Sequence, residues 1–103
     1  MDFDAIFKEA EKNRMNFEMS VKKDFFLALK QCNFKEKILE ASEQGKFHIF
    51  INNEDAPKLK AMLDIKTMTP YYCKKIAEEN KFKIKNGHES IMITFGEKEN
   101  YEY

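Results

Sequence analysis

The sequence predicts an α+β fold, a small three-stranded sheet covered by helices on one face. Three observations predict it. Asn86-Gly87 stands between two β-rich runs, 81–85 and 90–95, and reads as the turn of a hairpin. A third run, KFHIFIN at 46–52, alternates like a strand. The remaining stretches place apolar residues at helical spacing, in the order helices, strand, helix, helix, strand, strand.

The hairpin sets the inside of the sheet. A two-residue type I′ turn at Asn86-Gly87 pairs Lys85 with His88, Ile84 with Glu89, Lys83 with Ser90 and Phe82 with Ile91. One face then carries Phe82, Ile84, Ile91, Ile93 and Phe95, with Glu89 the misfit. The other carries Lys81, Lys83, Lys85, Ser90, Met92 and Thr94. A slip by one residue would bury the lysines.

Asp2 to Lys12 reads as an amphipathic helix with Phe3, Ile6, Phe7 and Ala10 on one side, and Asp2 and Asp4 at the positive end of its dipole. Met15, Phe17, Met19 and Val21 then alternate with polar residues, a strand pattern written in helix formers. The expectation is a break near 13–16 and helix again from about Ser20 to Gln31, with Phe25, Phe26 and Leu29 inward. Asn33 and Glu36 form a capping-box-like start for a helix ending at Gly45, with Phe34, Ile38, Leu39 and Ala41/Ser42 as its stripe. Strand 46–52 has apolar residues on both faces, which suggests the centre of the sheet. Asp55 is the expected cap of the next helix, with Asn53 or Glu54 as alternative starts because Pro57 follows closely, and its inner face is Leu59, Met62 and Leu63. Thr69-Pro70 starts another, with Tyr72, Cys73, Ile76 and Ala77 inward. Residues 1–95 read as one α+β domain and 96–103 as an acidic, frayed tail.

From Ile38 onward, ILEASEQGKFHIFIN … MTPYYCKKIAEENKFKIKNG … SIMITF resembles a pattern in small proteins of bacteriophages and large DNA viruses, over about 58 of the 103 residues. The resemblance implies a viral accessory protein more than a housekeeping enzyme. The element order is also similar to a winged helix. There, the second helix of a helix-turn-helix enters the major groove. Here that helix is 70–80, offering Tyr71, Lys74, Lys75 and Glu78. One departure is the length of strand 46–52, where a winged helix has a stub. A central strand 46–52 and a buried Tyr71 would exclude the likeness.

Eighteen basic and eighteen acidic residues give zero net charge, so nothing global points to nucleic acid or an anionic membrane. The charge is uneven, however. Residues 58–85 hold eight lysines against Asp64, Glu78 and Glu79, with no arginine. Lysines beside aromatics bind phosphates and stack bases, or meet an acidic protein; on a solvated sheet face they also discourage edge pairing. Candidate binding residues are Lys58, Lys66, Tyr71, Lys74, Lys75, Lys81, Lys83 and Lys85. Cys32, Cys73, His48 and His88 lack the close ligand pairs of a zinc site, and no nucleophile elbow or phosphate loop occurs. No cofactor and no catalytic residue are expected. Two distant cysteines, no apolar leader and no membrane-length apolar run suggest a cytoplasmic protein with free thiols. The expectation is a non-enzymatic viral accessory protein that regulates or inhibits a host protein. The alternative is a winged-helix-like nucleic-acid binder using helix 70–80 and the Lys81/Lys83/Lys85 strand. The Phe-rich N-terminal helices either cover the sheet or pair two chains as a homodimer.

Overall fold

The computed structural model describes residues 2–96, and the fold class is as expected: four α-helices and one three-stranded antiparallel sheet. The tail 97–103 lies outside the described residues.

Helix α1 (Phe3–Gln31) is continuous, so the expected break at 13–16 does not occur. The alternation at 15–21 has no strand to pair with. Those residues instead extend the helical stripe Phe3, Phe7, Ala10, Arg14, Phe17, Val21, Phe25, Ala28, spaced by three or four. Asp2 caps the start, its Oδ1 accepting from the Ala5 N–H at 3.2 Å. Phe25 and Leu29 are buried, but Phe26 turns partly outward.

Helix α2 (Phe34–Glu43) follows without the expected capping box. Asn33 is left-handed, φ 57°, and its side chain caps nothing. Its backbone makes the sharp α1–α2 corner, a conformation Asn tolerates better than most residues. Gly45 ends α2 as expected, at φ 74°. The Gly45 N–H donates to Ser42 O and the Lys46 N–H to Ala41 O, both at 3.0 Å. This is the double closure that a left-handed glycine permits. Leu39, placed on the inner stripe by spacing, is exposed.

Strand β1 (His48–Asn52) leads through a 3₁₀ turn (Asn53–Asp55) to helix α3 (Pro57–Asp64). The cap position is Ala56, one residue beyond the expected Asp55, because Pro57 takes the first helical position, where its missing N–H costs nothing. In helix α4 (Thr69–Glu79) the N-cap is Met68, and the hydroxyl that serves the start is that of Thr67, accepting from the Thr69 N–H at 3.1 Å. All four expected inner residues of α4 are buried.

Strands β2 (Phe82–Asn86) and β3 (Ser90–Phe95) form the hairpin, and the sheet order is β1-β3-β2. β1 is therefore an edge strand, not the central one. Its second apolar face, with Phe50 61% exposed, looks outward. The hairpin register also differs. Phe82 pairs with Phe95 and Ile84 with Ile93, four residues from the expected partners. Four is even, so the side chains within the strands keep their expected faces. Lys81, expected on the outer face, falls outside β2 at a left-handed corner, and Glu89 leaves the sheet for the loop.

The turn is thus not type I′, and neither Asn86 nor Gly87 has positive φ. Tertiary contacts override the local preference. Asn86 donates to Asp64 Oδ1 at 2.8 Å and accepts from Lys60 Nζ at 2.7 Å. Lys60 also donates to Gly87 O, and Asn53 Nδ2 to His88 O at 2.7 Å. Gly87 remains necessary for another reason: a Cβ there would stand 2.6 Å from Ser90 O.

The core is one cluster between the helices and the inner sheet face, with Phe25, Ile51, Leu59, Cys73, Ile76, Ile91 and Ile93 at its centre. Among the described residues no helix is long and apolar enough to cross a membrane.

Candidate nucleic-acid interface

Helices α3 and α4 are joined by the four residues 65–68, and the pair packs on the inner face of the sheet. Burial of Tyr72, Cys73, Ile76 and Ala77 leaves the opposite stripe of α4 in solvent. Tyr71 (57% exposed) and Lys74 project from that stripe, and Lys66 is exposed in the preceding turn. Ile65 and Met68 are exposed beside them, so the helix entrance is apolar and aromatic with a basic fringe. The Tyr71 ring meets Tyr72 edge-on, 5.4 Å between centroids, and Tyr72 packs against Phe17 of α1 at 5.8 Å.

Lys75 is already engaged. Its ammonium donates to Glu18 Oε1 at 2.7 Å and lies 5.9 Å from the centre of the Tyr72 ring. The Glu18 hydrogen bond raises its pKa. Lys58 is half-buried on α3. Lys81 serves the backbone, since it has φ 70° at the α4–β2 corner and its N–H donates to Glu78 O at 3.1 Å.

Lys83 and Lys85 project from the sheet face turned away from the helices, whereas Tyr71 and Lys74 leave a helix packed on the other face. Two cross-strand rows result on the outer face: Lys83–Thr94–His48 and Lys85–Met92–Phe50. His48 and Phe50 were not among the sequence-derived site residues. Their place beside the lysines depends on β1 pairing with β3, which no local signal in 46–52 reveals.

Sequence reasoning also missed the polar clamp of Asn53, Lys60, Asp64 and Asn86. The i,i+4 pair Lys60–Asp64, 3.4 Å apart, was legible as a helix pair. Its partner Asn86 lies 26 residues beyond Lys60. Asp64 is held below its usual pKa, first by the Asn86 hydrogen bond and then by Lys60. A second missed feature is a cleft of about 730 Å³ where α1, α2 and β2 meet. Phe26, Leu29, Phe34, Ile38, Phe82 and Phe95 line it, and Lys30, Lys35 and Lys81 sit among them.

Cys32 and Cys73 are both buried free thiols, and burial raises both pKa values, that of Cys73 to about 11. His48 and His88 are exposed elsewhere, and among the described residues no three His, Cys, Asp or Glu side chains gather as a metal site. The exposed α4 stripe carries the Tyr71 ring, the Lys74 ammonium and the Glu78 carboxylate. It offers no paired nucleophile and base.

No family model, no curated protein and no solved structure matches the chain.

Proposed function

We propose that the protein is a non-enzymatic nucleic-acid-binding module in which α3 and α4 act as a helix-turn-helix and α4 approaches the duplex. One observation carries the reading. The connectivity α2-β1-α3-α4-β2-β3, with the first strand at the edge beside the last, supports a winged-helix-like reading, although β1 is a full strand of five residues, as long as β2, and not a stub. The exposure of Tyr71 on α4 agrees with it. Lys66 and Lys74 supply phosphate contacts and Tyr71 a stacking or groove contact. Binding is modest and weakly selective, because the chain is neutral and this surface lacks arginine. Fluorescence anisotropy with a labelled duplex tests it. Binding at low salt should weaken as salt rises, with a log–log slope of about −0.9 per neutralised phosphate. Lys74→Glu should lower affinity roughly tenfold, and a flat titration at low salt removes the reading.

A second reading, a viral accessory protein that docks on a host protein, is favoured by the cleft between α1, α2 and β2. Its apolar lining, with three lysines against the single carboxylate of Glu36, suits an acidic segment bearing aromatic or aliphatic anchors. Amide shifts confined to Leu29–Ile38 and Phe82 on titrating an acidic amphipathic peptide, lost in Phe34→Glu, would support it. Uniform or absent shifts would count against it.

A further inference from the structure

The first fifteen residues of α1 carry an apolar stripe that the other described residues leave largely exposed, with Phe17 at its end reaching the Tyr72 ring. Phe3 is 60% exposed, Ile6 47%, Phe7 64% and Phe17 43%. This stripe is the same helix face that, beyond Glu18, is buried as Val21, Phe25 and Ala28. Residues 3–16 are exposed throughout, and a helical stretch of that length is marginal in water without tertiary support. We propose that residues 3–17 of α1 pair antiparallel with the same segment of a second copy of this chain. The inference is independent of the nucleic-acid reading.

Shape selects the orientation. Past Glu18 the shared face is occupied by the chain's own α3 and α4. A parallel pair would force two bodies into the same space. An antiparallel pair with its two-fold axis at Ala10 avoids this, because each body then lies beyond the other helix's N-terminus. Residue n meets residue 20 − n, a relation fixed by that axis. Phe3 meets Phe17 of the second copy and extends the aromatic contact Phe17 already makes with Tyr72. Ala10 meets itself, and its small side chain lets the helices approach. Arg14, the one charge in the stripe, falls beside Phe7 and Ile6 of the second copy, where its guanidinium lies over a ring. In a parallel pair it would face the other Arg14.

The area is sufficient. With about 200 Å² per Phe ring, the exposures of Phe3, Phe7 and Phe17 leave roughly 300–350 Å² of ring surface per chain. With Ile6 and the flanking stems, the pair buries on the order of 1,000 Å², the lower end of a specific interface. A dimer of moderate, concentration-dependent affinity follows.

Sedimentation equilibrium of the full chain tests the proposal. The expected mass is twice 12.3 kDa at high concentration, falling to one chain on dilution. Phe7→Glu should give one chain throughout, with the near-ultraviolet circular dichroism of the body retained. Orientation is read from cysteine cross-linking. Ala10→Cys should form a symmetric disulfide in high yield. Asp2→Cys should not, because two such positions lie about 24 Å apart along antiparallel helices, at 1.5 Å per residue. A single-chain mass at every concentration, including one in which only a foreign protein occupies the stripe, overturns the proposal. So does a dimer that survives Phe7→Glu, or an Asp2→Cys variant that cross-links as readily as Ala10→Cys.

Discussion

The two halves of α1 share one helix and one apolar stripe, yet Phe25 is fully buried and Phe7 is 64% exposed. Spacing places both rings on the same face. What separates them is the cover: α3 and α4 pack on the second half and stop at Glu18 and Phe17, which reach Lys75 and Tyr72. Periodicity specifies a face but not what covers it. The difference between the halves can be measured. Phe25→Ala should cost about 3–5 kcal/mol of unfolding free energy, the transfer term plus the cavity it leaves. Phe7→Ala, measured at a dilution where chains are separate, should cost less than about 0.5 kcal/mol, as an exposed substitution does. Urea melts of the two variants decide it, and equal losses would mean that the first half of α1 is covered within the chain.

The hairpin offers the same contrast between a local rule and its tertiary setting. Asn86-Gly87 predicts one turn type, and the clamp from Asn53, Lys60 and Asp64 imposes another. The roles of the two residues are therefore different from those the dipeptide implies. Gly87→Ala puts a methyl 2.6 Å from the Ser90 carbonyl oxygen, the group its own N–H binds. It should cost about 1–3 kcal/mol from strain and a weakened hydrogen bond. A turn needing positive φ would make Asn86→Gly harmless or stabilising. Here Asn86→Gly removes hydrogen bonds to Lys60 and Asp64 and should destabilise, with the Asp64 carboxyl rising back toward its usual pKa in an NMR titration. The sign for Asp64 follows from its lowered pKa. Its contribution is present above the unfolded pKa and is lost as pH falls through the folded one.

These cases show which parts of the molecule were legible. The inside and outside of the hairpin were, because strand alternation has a period of two and a four-residue register shift leaves it unchanged. The inner faces of α3 and α4 were, because each stripe is met by the core. The continuity of α1 was not, because an alternating Met15–Val21 run satisfies both periods and only the absence of a pairing strand decides between them. The edge position of β1 was not, because Phe50 is apolar and exposed. Of the candidate site, Tyr71, Lys66 and Lys74 stand on one surface and Lys83 and Lys85 on another. Sequence proximity joined them, but burial of the alternate residues sent them to different faces.

The buried thiols sharpen the contrast between covered and uncovered parts at high pH. Cys73 is fully buried in α4, and burial holds its pKa up at about 11. In the unfolded chain it ionises near the ordinary thiol value of about 8.5. The folded state therefore keeps a proton that the unfolded state loses. Its contribution to stability is complete below the ordinary thiol range and is lost as pH rises toward about 11. Cys32 shifts in the same direction through desolvation. Urea midpoints should fall across that window, and Cys73→Ala should flatten the fall relative to its own neutral-pH value. Rapid modification of the native protein by a thiol reagent near neutral pH would contradict the burial of both cysteines.

The smallest expected effect lies at the boundary itself, where α1 leaves the body. Glu18 holds the Lys75 ammonium at 2.7 Å with both side chains partly exposed, so its loss should barely move the melting curve. Glu18→Gln should lower the Lys75 pKa, whose rise comes first from this hydrogen bond. A raised lysine pKa stabilises below the unfolded value and loses that stabilisation as pH rises through the folded one, so any change is confined to the alkaline side. The binding effect has the opposite sense. Glu18→Gln removes a negative charge beside α4 and frees Lys75 to meet a phosphate. If α4 faces nucleic acid, affinity should rise several-fold and the salt dependence should steepen by about one phosphate contact. Unchanged binding by this variant, alongside a loss in Lys74→Glu, would place Lys75 outside the interface and confine it to the exposed stripe of Tyr71 and Lys74.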